Sequence, residues 1–226
     1  MAVIRNMKGK YAVQVQVEAT TVVGVDVGGS RKGFHAVALR GGMYLDCLLD
    51  RSPSKVSEWC RNVGAKVIAI DAPCRWSKDG RARPAERELM KERIWCFSTP
   101  MRNGALNHPN NHYEWMLNGE RLYDAISESH PLFLGAEWDC SSSICIEVFP
   151  HAIACAISGR ILSARNKKID RQRLLSAAEI NIGQGRSMDL IDAAVCALSS
   201  HYFTLGCIKT YGDPDTGLIA VPNLPH

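Results

Sequence analysis

No run of about 18 uncharged apolar residues occurs in this chain, so nothing in it reads as a membrane-spanning helix. The opening MAVIRNMKGKYAVQVQVE has no apolar core followed by a small-residue cleavage site, and secretion is not expected. CxxC is missing among the nine cysteines, and HxH and HExxH are missing among the seven histidines, which argues against a dedicated zinc site. The cysteines are odd in number and many sit in apolar runs such as AVCAL, so they read as reduced core thiols of a cytoplasmic protein. Internal repeats and low-complexity tracts are also missing, which excludes a solenoid. The charge is not strongly one-signed: +4 overall is modest for a nucleic-acid binder.

What is present is material for one sizeable core. The chain has 226 residues, 46% of them hydrophobic, and reads as one domain over 1–226 with a helical and loop insertion at about 75–143. Apolar periodicity places strands at 21–27, 34–39 and 43–49, linked by GGSRKG and by Gly41-Gly42. Ser52 or Ser54 caps a short helix running to Arg61, and Gly64 ends it before a strand at 66–70. Weak alternation at 11–18 suggests an extra strand or an N-terminal arm. Pro84 opens a helix through AERELMKERIWCF, with Leu89 and Trp95 on its core side. Residues 98–111 are turn-rich, and a helix follows at 112–126. The strand ICIEVFP, a short helix from His151, helices near 170–180 and 188–205, and strands near 207–210 and 218–221 complete the pattern.

Basic residues cluster in two places. From Arg75 to Arg102 there are eight, including Arg83 and Arg87, against four acids; from Arg160 to Arg173 there are six against Asp170 alone. Such runs are often solvated faces. Trp76, Trp95 and Phe97 lie among the first group, a mixture suited to base stacking with phosphate contacts, for which Arg83, Arg87 and Lys32 are the candidates.

Four aspartates carry the chemical argument. Asp26 in VVGVDVGG and Asp71 in KVIAIDAP close runs of β-branched residues that read as buried strands, where a carboxylate is costly without a partner. Asp189 and Asp192 open the last long helix in SMDLIDAAVCAL and lie about 60° apart on one face. If the two strands are neighbours and face this helix, divalent ions would neutralise the set. Glu147, before Val-Phe-Pro on another strand, is a fifth candidate, and His151 stands where it could orient a water or a phosphate. Each has a plainer role as well. Asp26 and Asp71 suit turns, Asp189 suits a helix first turn after a Ser187 N-cap, and Glu147 suits a salt bridge.

Three hairpin-linked strands, crossovers to further strands in a mixed sheet, and a final acid-bearing helix match an α/β fold of RNase H-like type with helices on both faces. Through GVDVGGSRKGFHAV, VIAIDAP, RPAERELMKERIWCFSTP, IEVFPHAI, SMDLIDAAVCAL and GLIAVP, from about Val22 to Pro222, the chain resembles the predicted RNase H-like nucleases of the domain-of-unknown-function family numbered 429. The resemblance implies a nuclease, a hydrolase of phosphodiester bonds using two Mg²⁺ or Mn²⁺ ions. It places Asp26 as the bridge between the ions, Asp71 and Asp192 on one ion each, and Asp189 or Glu147 completing the shell. Direct in-line attack by water would leave 3′-hydroxyl and 5′-phosphate ends. Nucleic acid is the expected partner, and a homodimer would be needed if the substrate were a four-way junction, whose resolvases end in a similar DxxD pairing. Two rival readings share the fold. One is a catalytically idle domain that binds a partner or nucleic acid. The other is an actin-like ATP-dependent phosphotransferase, suggested by GVDVGGSRKG but opposed by the room for a single lobe.

Overall fold

The computed structural model describes residues 19–183 and 185–225. The strand-like stretch expected at 11–18 lies outside them. Seven strands form one mixed sheet: β1 (Thr21–Val27), β2 (Phe34–Arg40), β3 (Met43–Asp50), β4 (Ala65–Asp71), β5 (Ile144–Glu147), β6 (Ile208–Asp213) and β7 (Gly217–Pro222). Their spatial order is β3-β2-β1-β4-β5-β7-β6. The first three pair antiparallel, β4 and β5 add in parallel to β1, and a β6–β7 hairpin closes the far side with β7 parallel to β5. A three-stranded meander followed by parallel strands is the RNase H-like arrangement expected from the sequence.

Helices cover both faces. Alternation along β1 and β4 sends Val22, Val67 and Ala69 toward α7 (Met188–Thr204), while Val23, Val25, Ile68 and Ile70 pack with α1 (Pro53–Asn62) and α4 (Glu114–Ile126). The α7 contact is unusually close. A Cβ on Gly24 would lie 2.0 Å from the Ala197 nitrogen and 2.2 Å from the Ala193 oxygen, so only glycine lets α7 seat here. Ser200 Oγ then donates to the Val23 carbonyl at 3.0 Å. This seating fixes the start of α7 against the end of β1.

Between β4 and β5 lie α2 (Pro84–Lys91), α3 (Arg102–Leu106) and α4; α5 (Pro150–Ser158) and α6 (Lys167–Ala177) precede α7. The helix expected through residue 97 stops at Lys91. Arg93 takes a left-handed conformation (φ 65°), its N–H bonds the Met90 carbonyl and the Ile94 N–H bonds the Leu89 carbonyl, which closes the helix in a Schellman pattern. Arginine in the place usually held by glycine concealed this stop. Past it the chain keeps Ile94 inside but leaves Trp95 73% exposed, so Trp95 is a surface residue and not the core residue expected.

Candidate metal centre

The site begins with strand register. Asp26 on β1 stands opposite His35 on β2 and beside Asp71 on β4, so the three side chains form a row across the sheet. They share the phase of Gly24, the face on which α7 lies. Ser187 caps α7, its hydroxyl accepting from the Leu190 N–H at 3.2 Å, and this places Asp189 in the first turn and Asp192 one turn in. Asp26, His35 and Asp189 each offer a ligand atom, and these atoms lie within 4.8 Å of one another.

Electrostatics bind Asp71 and Asp192 to the same group. Burial, with repulsion from Asp192 and Asp189, pushes the Asp26 carboxyl up to about 8 against the pull of Lys32 and Arg171. Burial, Asp26 and Asp192 push Asp71 well above the usual carboxylate range. Burial raises Asp192 to about 6, with Arg171 opposing. Like charges held this closely out of water cannot all ionise unless a cation joins them. Two cations of the protein partly do so. Lys32 Nζ sits 3.1 Å from both oxygens of Asp189, and the Arg171 guanidinium of α6 pairs with Asp192.

The donor set suits a divalent ion. Oxygen ligands dominate, and His35 adds an imidazole whose buried Nδ1 has no hydrogen-bond partner. Burial lowers the His35 pKa, with Asp189 opposing, so its ring is held in the neutral form that binds metals. Sequence reading missed His35 because it looked for histidine pairs at short spacing. The signal was the hairpin itself: once GGSRKG is the turn, residue 35 falls opposite residue 26.

The four aspartates are brought together on one face; Glu147 reaches them only from the other side, where its charge adds to the rise of Asp71. Glu147 pairs in register with Ile70, one residue out of phase with Asp71, and therefore points to the opposite face. There both its oxygens take Arg83, at 2.5 and 2.9 Å, and the Cys74 N–H donates to it at 2.8 Å. Arg83 is only 3% exposed and also donates from Nε to Glu86 at 2.8 Å. Of the two readings of Glu147, the geometry shows the salt bridge: it and Arg83 are committed to each other inside the fold, which leaves Arg83 buried and engaged and not free for a phosphate. Arg87 is exposed on α2 and folds back on the Ala82 carbonyl. His151 is half-buried near Cys155, 3.9 Å from Nε2 to Sγ.

Two open cavities flank the acid cluster. One, of about 510 Å³, is bordered by Arg31, Lys32 and Arg51 together with His35 and Asp189. The other, of about 270 Å³, runs from Asp71 and Asp192 to Phe97, Trp115 and Arg171.

Residues 24–216 match the family profile described as "Protein of unknown function (DUF429)". No curated protein matches the chain significantly. Among solved structures, a Thermus thermophilus RuvC structure is similar at 13% identity, covering 83% of this chain and 97% of that one, with a TM-score of 0.44. T. thermophilus RuvC in complex with a Holliday junction substrate is similar at 15% identity, covering 83% and 96%, also at 0.44.

Proposed function

The chain belongs to the DUF429 family, and from that premise we propose that it is a metal-dependent nuclease whose single domain carries its acids on the sheet and α7. The observation that supports this best is the convergence of Asp26, His35, Asp71, Asp189 and Asp192, from four different elements, on one partly open spot. Four carboxylates held against their mutual repulsion, with a neutral imidazole beside them, favour a bound cation as their occupant. Asp26, His35 and Asp189 would hold one Mg²⁺ or Mn²⁺, and Asp71 and Asp192, with Asp26 shared, would hold a second. Bound divalent ions supply the positive charge that eases deprotonation of water and stabilises a leaving oxygen.

The protein's own groups set the remaining conditions. Asp26 keeps its proton at neutral pH while no metal is bound, so loading the site releases a proton. Lys32 and Arg171 hold the carboxylates in place beforehand and must yield part of that contact. Arg31, Lys32 and Arg51 line the neighbouring cavity and would serve as phosphate contacts there. Nucleic acid is the substrate class that this combination of carboxylates and flanking cations serves.

A second reading draws on the same pairs: Lys32 and Arg171 could be permanent partners that make the cluster a closed ion-pair network in an idle binding domain. Cleavage of labelled single- and double-stranded DNA, RNA, hybrid and four-way junction with Mn²⁺, Mg²⁺ or EDTA separates the two. The nuclease reading expects metal-dependent cutting that Asp71→Asn abolishes. No cutting of any substrate by folded, metal-loaded protein would favour the idle domain.

A further inference from the structure

Next to Asp71 and Asp192 the protein has a feature that phosphodiester hydrolysis alone does not require. The cavity of about 270 Å³ there carries the rings of Phe97, Trp115 and Phe149 on its wall, the paired Arg83, Glu86 and Glu147 at its floor, and Lys167 and Arg171 beside Asp192. Phe97 is 62% exposed, and its ring lies edge-on to Trp115 at 6.3 Å and to His112 at 5.9 Å. The rings continue outward from His112 to Tyr113 at 4.9 Å and from Tyr113 to His108 at 5.2 Å. Phe149 lines the inner wall, and Lys167 and Arg171 stand on the side of Asp192. Arg171 is 5% exposed, and its Nε is buried with no acceptor, an unspent donor on a residue of the cavity wall.

The local sequence explains why the rings face outward. The left-handed turn at Arg93 ends α2 and starts an extended segment in which Ile94 is anchored in the core while Trp95 and Phe97 alternate to the surface. The first turn of α4, which carries Trp115, is tied to the β1–β2 turn by a 2.5 Å bond from Ser30 Oγ to Glu114, so the aromatic group is held over the same end of the sheet as the acids.

We propose that this cavity receives one unpaired nucleobase of the nucleic acid whose backbone crosses the acid cluster, so that the enzyme acts on single-stranded or extruded nucleotides. The inference rests on the nuclease reading and names its substrate class. The volume lies just under the range of about 300–1,000 Å³ typical of drug-sized ligands, which is room for a base with its sugar and too little for a paired duplex. Exposed aromatic faces stack on any base, and the Lys167 and Arg171 end suits the attached phosphate. On the opposite side of the acids, Arg31, Lys32 and Arg51 give the strand a basic exit.

The test measures binding without cleavage, by anisotropy of labelled oligonucleotides with the full chain in EDTA. The probes are a single strand, a paired duplex, the same duplex with one bulged nucleotide, and that bulge made abasic. The bulge and the single strand should bind roughly 5- to 150-fold more tightly than the duplex and the abasic bulge, the range expected for stacking one base. Phe97→Ala should erase that preference, and Phe97→Tyr should restore it; the position is exposed, so both variants fold. Equal affinity for all four probes, or a preference that survives Phe97→Ala, overturns the proposal. The two readings fail separately: a base preference with no cleavage under any metal spares the cavity and sinks the nuclease, whereas cutting with no base preference does the reverse.

Discussion

The Arg83–Glu86–Glu147 network and the Asp26–Asp71–Asp189–Asp192 cluster stand near the same end of one sheet and are built on opposite terms. In the network every carboxylate oxygen is answered by a hydrogen-bond donor. Glu86 takes the Arg83 N–H and Nε and the Thr99 N–H, and Glu147 takes the rest of the guanidinium. Burial would lower the Arg83 pKa, but Glu147 and Glu86 outweigh it and keep the cation charged. In the cluster only Asp189 and Asp192 pair with a cation, and the aspartates displace one another's titration upward. A satisfied network holds the segment after β4 onto β5; an unsatisfied one stores a demand for cations. Burial by itself therefore does not mark a functional acid; burial without full compensation is the feature on which the proposed metal site rests.

The largest effect should come from breaking the satisfied side. Arg83→Met leaves Glu86 and Glu147 buried without their cation and should cost about 3–5 kcal/mol in a chemical denaturation curve. The unsatisfied side should answer in activity and not in stability. Loss of groups that merely support metal ligands costs about 10–100-fold, so Asp26→Asn or Asp71→Asn should lower metal-dependent cleavage by more than about 100-fold. The same variants should match or exceed the wild-type melting temperature without metal at alkaline pH, where the wild-type carboxyls must ionise against one another.

Acidity sharpens the contrast. Asp26 and Asp192 titrate near 8 and 6 in the fold, well above their unfolded values, so the folded state holds protons that the unfolded state has released. That stabilisation is complete below about pH 4 and is lost as pH rises, at up to about 1.4 kcal/mol per unit for each proton. The contribution of Asp192 should be spent by about pH 6 and that of Asp26 by about pH 8. His35, with its lowered pKa, works in the opposite direction as it loses its proton. Calorimetric melting of metal-free protein from pH 5 to 8 should show the decline, Asp26→Asn should flatten its upper half, and Mn²⁺ should reverse it. A smaller effect distinguishes a stand-in cation from a structural one. Lys32 is largely exposed, so Lys32→Met should change stability by less than about 1 kcal/mol while tightening Mn²⁺ binding severalfold by isothermal titration. Arg87→Ala, at an exposed position of neither network, should stay within about 0.5 kcal/mol of wild type.

Much of this was legible in the chain. Period-2 runs, paired glycines and the Ser52 and Ser187 caps located the strands and helices because these signals act over a few residues. The end of α2 was not legible, because Arg93 holds a left-handed position that composition assigns to glycine. Trp95 was misplaced for the same reason: the helix ends at Lys91, four residues before it. The phase of Glu147 against Asp71 was readable only once the register of β4 with β5 was known.

By itself the sequence determined which residues are acidic at the ends of apolar runs, and hence that Asp26, Asp71, Asp189 and Asp192 needed a common explanation. It could do so because desolvating a carboxylate is costly wherever the chain happens to place it. Tertiary structure alone decided which acids share a face, that His35 joins them, that Lys32 and Arg171 pair with Asp189 and Asp192, and that Arg83 and Glu147 spend their charges on each other. Those outcomes depend on strand register and on the seating of α7 over Gly24, where a shift of one residue turns every side chain to the other side of the sheet.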